Sequence, residues 1–165
     1  MASPPISSAP VIHETSVRVR YGEVDRMGFV YHANYLPYFE LGRTELLRSQ
    51  GHAYRALEES GTLLVVVDAG LRFLRPAGYD DALVVRTRLA ELTGVRIRFE
   101  YEVRRPADGV FIASGHTTLA STDLTGRPIR IPAPVRAILE GLLDGAPPAD
   151  GGKKGAPSPV QGRTP

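Results

Sequence analysis

No cysteine occurs in the 165 residues, which removes disulfides, thiolate nucleophiles and cysteine-based metal sites from consideration. Both lysines, Lys153 and Lys154, stand near the C-terminus. Chemistry that needs a positioned lysine, as in Schiff bases and P-loops, therefore has no candidate in the body of the chain. No apolar stretch could span a bilayer, and the opening M-A-S-P-P-I-S-S-A-P has neither a charged start nor an apolar run. No signal peptide is expected, and the chain reads as cytoplasmic. No serine lies in a G-x-S-x-G elbow, which argues against a Ser-His-Asp hydrolase. No histidine or acidic group stands at a recognisable ligand spacing: Asp80 and Asp81 read as a turn, and His13, His52 and His116 are scattered. Neither a metal nor a cofactor is expected.

What is present suits one globular domain with its own core: 42% of residues are apolar and 23% charged. Net charge is only +2, and the arginines of the body alternate with apolar or acidic residues. That pattern describes the solvated faces of strands, so a nucleic-acid partner is not expected.

Residues 1–11 read as a loose arm. From His13 to Tyr21, Val17, Val19 and Tyr21 alternate with Arg18 and Arg20, which predicts a half-buried first strand. A short loop with Asp25 and Gly28 follows. From His32 to Ser49 the residues Tyr35, Leu36, Phe39, Leu46 and Leu47 recur at helical spacing. Apolar residues occupy much of the circumference through Leu41, so a helix largely enclosed by sheet is expected. Pro37 falls in its first turns, where proline costs least, and Gly51 is a stop. A shorter helical pattern spans Tyr54 to Glu59. Leu63 to Val67 is continuously β-prone, and Asp68 to Leu74 alternates loosely. Leu83 to Leu92 reads as the next strand. The clearest alternation comes after it, with Val95, Ile97, Phe99, Tyr101 and Val103 on one face and Arg96, Arg98, Glu100, Glu102 and Arg104 on the other. R-P-A-D-G at 105–109 marks a hairpin into Val110 to Thr122. A terminal helix is predicted over Pro134 to Leu143, and the Pro/Gly-rich residues 144–165 are expected to be disordered. Strand, helix, then four hairpin-connected strands point to an α+β domain whose antiparallel sheet covers one helix.

The chemistry concentrates in Y-G-E-V-D-R-M-G-F-V-Y-H-A-N-Y, Tyr21 to Tyr35. It places a carboxylate, Asp25, just before a helix start, where unpaired amides can stabilise a carbonyl oxygen that gains negative charge. The candidate donors are the N–H groups of His32 and Tyr31. Asp25 can act in two ways, as a nucleophile forming a mixed anhydride or as a base that deprotonates water. The second gains from partial desolvation, which Val24, Met27 and Phe29 would provide by closing over it. The Tyr21 ring is expected half in the core, with its hydroxyl able to orient Asp25 or a water, and the His32 imidazole to bond substrate or hold the loop. Elsewhere, Glu40 and Arg43 are spaced to pair on the helix; Asp68 is a candidate second acid on the strand after the helix, but without a partner it reads as surface or turn polarity.

D-x-M-G-x-V-Y-H-A-N-Y, with P-A-G-Y-D-D at Pro76 to Asp81 and G-R-P at Gly126 to Pro128, resembles the 4-hydroxybenzoyl-CoA thioesterase-like branch of the hotdog superfamily. Within it the chain looks closest to the small bacterial acyl-CoA thioesterases, some encoded with the Tol-Pal envelope system. The resemblance covers residues 12–143. It implies a hotdog fold, a five-stranded antiparallel sheet wrapped round a central helix, in a dimer with two interfacial sites or a tetramer of such dimers. It also implies acyl-CoA thioester hydrolysis, with Asp25, His32 and Tyr21 catalytic, Gly28 shaping the loop, and the oxyanion donor at His32. CoA phosphates would meet arginines such as Arg72, Arg75, Arg96 or Arg98. The family's late strand often carries a histidine near Ala120 or Ser121, absent here, which leaves substrate preference open. Acyl carrier protein esters, or a non-catalytic acyl-CoA-binding or envelope-associated role, are the alternatives.

Overall fold

The computed structural model describes residues 10–51, 57 and 59–144. Within them the chain runs through β1 (Ile12–Arg18), 3-10 turns at Tyr21–Glu23 and His32–Asn34, and α1 (Tyr35–Ser49). Next come β2 (Leu63–Phe73), β3 (Ala82–Leu92), β4 (Arg96–Arg105), β5 (Val110–Thr122) and α2 (Ala133–Asp144). The strands form one antiparallel sheet in the order β1-β3-β4-β5-β2. The strands on either side of α1 in sequence thus occupy opposite edges. α1 has to cross the inner face of the sheet, and it packs on β1, β3 and β4.

Period-2 alternation decides the two faces of the sheet. Ile97, Phe99, Tyr101 and Val103 of β4 are buried against the helix side together with Leu83, Val85, Leu89, Ile112 and Leu119. On the outer face the arginines meet carboxylates: Arg86 bridges Glu14 and Glu102, Arg104 joins Glu102, and Arg88 pairs with Glu100. Exposed pairs of this kind stabilise by only about 0–1 kcal/mol each. They do account for where the positive charge of the body goes.

Helix and sheet approach closely because two glycines face the contact. Phe39 lies flat on Tyr101, ring centroids 4.3 Å apart and planes within 3°. A Cβ built on Gly115 would stand 2.5 Å from the Phe39 ring, and one on Gly42 would strike the hydroxyl of Thr87. The Tyr101 hydroxyl is satisfied within the same layer by Thr117 at 2.7 Å.

Several expectations shift. The first strand ends at Arg18, and Tyr21 opens a 3-10 turn with its ring 78% exposed, not half in the core. The Arg20 N–H bonds the Glu23 carboxylate at 2.8 Å, which curls the chain out of strand geometry. The strand expected over 63–74 is observed as Leu63–Phe73. Its alternation changes phase because the register with β5 slips between Val66 and Asp68, a bulge. The buried residues of α1 are Tyr35, Tyr38, Phe39, Gly42, Arg43, Leu46 and Leu47, a single i, i+3, i+4, i+7 stripe. Leu36 and Leu41 lie off that stripe, each 39% exposed, so one chain does not enclose the helix. The Glu40–Arg43 pair forms at 3.8 Å. The helical turn expected at 54–59 lies mostly outside the described residues, of which Leu57 and Glu59 are helical. His52, the arm apart from residues 10 and 11, and the tail after residue 144 also lie outside them.

Two outcomes test this packing. Gly115→Ala is expected to destabilise by about 1–3 kcal/mol in denaturant titration, the usual effect of overpacking, while Gly94→Ala, whose added Cβ meets open space, stays near wild type. Burial, with the Asp81 charge second, pushes the Tyr35 hydroxyl from 10.0 up to about 12. Between those values the folded chain holds a proton that the unfolded chain releases. Stability is therefore expected to be full below pH 10 and to fall as pH rises towards 12, a decline that Tyr35→Phe makes shallower.

Candidate active site

The Asp25 loop is a pinched hairpin held from three sides. The Asp25 N–H donates to Phe29 O at 2.8 Å, Gly28 N–H donates to Asp25 O at 2.9 Å, and Val24 and Val30 form a β-bridge. Gly28 turns the chain at φ 81°, a left-handed conformation that glycine adopts without steric cost. The outer limb is fastened to the segment before β3: Val30 N–H donates to Ala77 O at 2.8 Å, and Phe29 bridges Gly78. Asp81, at the end of that segment, accepts from Gly78 N–H at 2.9 Å and from Arg105 at 2.8 Å. Asp80 and Asp81 thus shape a turn, Asp80 with φ 66° and an ion pair to Arg18.

Asp25 opens into a cleft of about 330 Å³ shared with Phe29, His32, Tyr35, Phe73 and Arg75. One carboxylate oxygen, Oδ1, accepts from the Met27 N–H at 2.8 Å; Oδ2 accepts no hydrogen bond among the described residues. Met27 and Phe29 do not close over Asp25. Met27 is 73% exposed and Phe29 also faces outward, so in one chain the carboxylate keeps its access to water.

The two candidate oxyanion amides differ in availability. Tyr31 N–H is bonded to Glu23 O at 2.9 Å, whereas His32 N–H, opening the 3-10 turn that leads into α1, has no acceptor among the described residues. The His32 ring lies 4.3 Å from Tyr31 and 6.5 Å from Phe73, in the apolar wall of the cleft. Tyr21 stands apart from this pair. Its ring contacts Tyr79 edge-on at 5.7 Å, and its hydroxyl bonds neither Asp25 nor any other described residue.

Of the four arginines named for phosphate, only Arg75 lines this cleft. Arg72 is exposed on β2, and Arg96 and Arg98 border a separate hollow of the outer sheet face with Asp68 and Glu91. Asp68 does have a partner. His116 on β5 meets it at 2.9 Å, in room left by Gly70, where a Cβ would run into the imidazole. Ala120 and Ser121, where the family often has histidine, lie further along β5, and Ser121 is buried.

Sequence reasoning missed Glu23. Its carboxylate accepts from Tyr38 Oη and from Arg20 N–H, both at 2.8 Å, and its carbonyl accepts from Tyr31 N–H and Asn34 Nδ2. Burial, then this hydrogen bond, raises the Tyr38 pKa, so the hydroxyl stays a donor. The only signal in the sequence is an acidic residue two places before Asp25, and nothing there reveals a tyrosine fifteen residues on as its partner.

The sequence and the fold have counterparts. The Thioesterase-like superfamily model matches residues 19–139. The putative acyl-CoA thioesterase YneP of Bacillus subtilis is 33% identical over 119 residues, 72% of this chain and 86% of that protein. The acyl-CoA thioesterase YbgC of Haemophilus influenzae is 34% identical over 128 residues, 76% of this chain and 93% of that one. The crystal structure of a hypothetical protein, TT1821, from Thermus thermophilus superposes with a TM-score of 0.75 at 37% identity, covering 80% of this chain and 98% of its own. The antiparallel sheet crossed by one helix is the hotdog fold, and the chain belongs to the thioesterase-like superfamily.

Proposed function

We propose that the chain hydrolyses acyl-CoA thioesters, with Asp25 delivering oxygen to the carbonyl carbon and the His32 amide receiving the charge that develops on the carbonyl oxygen. The observation that carries this reading is the pairing, in one cleft, of a carboxylate with an oxygen unengaged among the described residues and a helix-start amide with no acceptor among them. Oxygen adds to the carbonyl carbon, the C–S bond breaks, and sulfur leaves as the CoA thiolate. Direct attack by Oδ2 produces a mixed anhydride that water opens; attack by water passes its proton to the same oxygen. Both routes end in free acid and CoA. Met27, Phe29, Tyr35 and Phe73 offer the acyl chain an apolar wall, and Arg75 is placed to meet a phosphate at the mouth.

The edges of the sheet support a self-associating chain. β1 presents Glu14, Ser16 and Arg18 to solvent beside one apolar residue, Ile12, whereas β2 leaves Val65, Val66, Val67 and Phe73 exposed along a free edge of eleven residues. An apolar, unpaired edge of that length pairs with another strand unless it is covered. The reading is that two copies join along β2, beside Phe73 of the cleft. Val65→Lys is expected to lower the sedimenting mass to that of one chain; an unchanged oligomer would exclude pairing along β2.

The decisive assay is free-thiol release from short, medium, long and aromatic acyl-CoAs. Asp25→Asn is expected to abolish it while folding and ester binding persist, and near-normal turnover in that variant would sink the mechanism. The amide can be tested separately, because Tyr31 at φ −59° and ψ 132° already has the conformation that a following proline requires. His32→Ala keeps the N–H and should retain most activity. His32→Pro deletes it, and kcat should fall by about 10²–10³-fold, the usual effect of losing an oxyanion donor.

A further inference from the structure

We propose that Glu23 is a positioning residue for hydrolysis, an inference that rests on the Asp25–His32 reading above. It joins the two halves of the site through both its side chain and its backbone. Its carboxylate Oε2 takes the Tyr38 hydroxyl of α1 and the Arg20 amide at the end of the β1 segment, each at 2.8 Å. Its carbonyl takes the Tyr31 N–H at 2.9 Å and the Asn34 side-chain amide at 2.8 Å, the two residues flanking His32 and Ala33. The consequence is a choice of donor. With Tyr31 N–H engaged, the next amide in the chain, His32, is the first left open at the helix start.

The arrangement also sets the distance between the reacting groups. Asp25 follows Glu23 by two residues, and α1 is anchored in the core by Tyr35, Tyr38 and Phe39. Tyr38 has its hydroxyl on Glu23 and its ring 5.8 Å from Tyr35, which lines the cleft. The Glu23–Tyr38 bond therefore ties the Asp25 loop to α1, into which the 3-10 turn of His32 leads. Glu23 itself is absent from the residues bordering the cleft, so it acts through the groups it holds.

Such a residue has a kinetic signature. Substrate binding depends on the cleft walls and turnover on the alignment of Asp25 with the His32 amide, so loss of the tether should lower kcat and leave KM nearly unchanged. Glu23→Ala is expected to lower kcat about 10- to 100-fold, the scale of an ångström-sized misplacement, and Tyr38→Phe to lower it less. Combining the two should cost no more than Glu23→Ala alone, because the one contact that Tyr38→Phe removes is already lost in Glu23→Ala. Glu23→Gln retains an oxygen acceptor and should restore most of kcat.

Thiol release is measured on wild type, Asp25→Asn and these variants, each shown folded by denaturant titration. Wild type active, Asp25→Asn inactive and Glu23→Ala at full kcat would overturn the positioning role alone. Additive losses in the double variant would overturn it too. If Glu23→Ala does not fold, the folded Tyr38→Phe decides: reduced kcat at constant KM supports the tether, and unaltered kcat removes it. Loss of all thiol release from wild type would instead fail the thioesterase reading on which this rests.

Discussion

The stacking of Phe39 on Tyr101 sets the position of the helix on which the proposed site is built. It brings α1 down onto the sheet at a separation that only Gly115 on one side and Gly42 on the other permit. A helix spaced further from the sheet would lift its own N-terminus, and with it the 3-10 turn of His32–Asn34. Aromatic pairs contribute about 0.5–1.5 kcal/mol beyond the area they bury. The larger effect here is geometric, because one contact near the helix start fixes the direction in which an open amide points.

The loop opposite that amide is held in an equally local way. Its own hairpin bonds, the strap to Ala77 and Gly78, and Glu23 together over-determine the place of Asp25. A carboxylate built on such a turn has one oxygen spent on the Met27 amide and the other free to act. This division suits a reaction in which the group must stay oriented while one oxygen engages the substrate. In the proposed reaction, fixed dipoles at the helix start would need no reorganisation as charge develops on the carbonyl.

Much of the cleft wall is nevertheless open in a single chain. Phe73, Met27 and Phe29 are exposed, and Phe73 belongs to the unpaired edge of the sheet. Chemistry that gains from excluding water therefore has reason to be linked to what covers β2. The charged outer face of the sheet has a different character, with arginines and glutamates largely matched across strands.

Local periodicity alone determined the five strands, the central helix and the loop that carries Asp25, because alternation and helical spacing are properties of neighbours in sequence. The β4 pattern from Val95 to Arg104 lies within one residue of the observed strand, and the helix stripe through Tyr35, Phe39 and Leu46 is the buried one. Leu36 and Leu41 were misplaced, since apolar character does not say which side of a cylinder a single sheet covers. Tyr21 was misplaced because a hydrogen bond from Arg20 to Glu23 ended the strand that its alternation continued. Tertiary structure alone decided which amide is free, which of four arginines reaches the cleft, that Asp68 meets His116, and that Glu23 clasps Tyr38. Each is a contact between residues distant in the chain or a competition for one acceptor, and such outcomes are settled only when the sheet order brings the groups together.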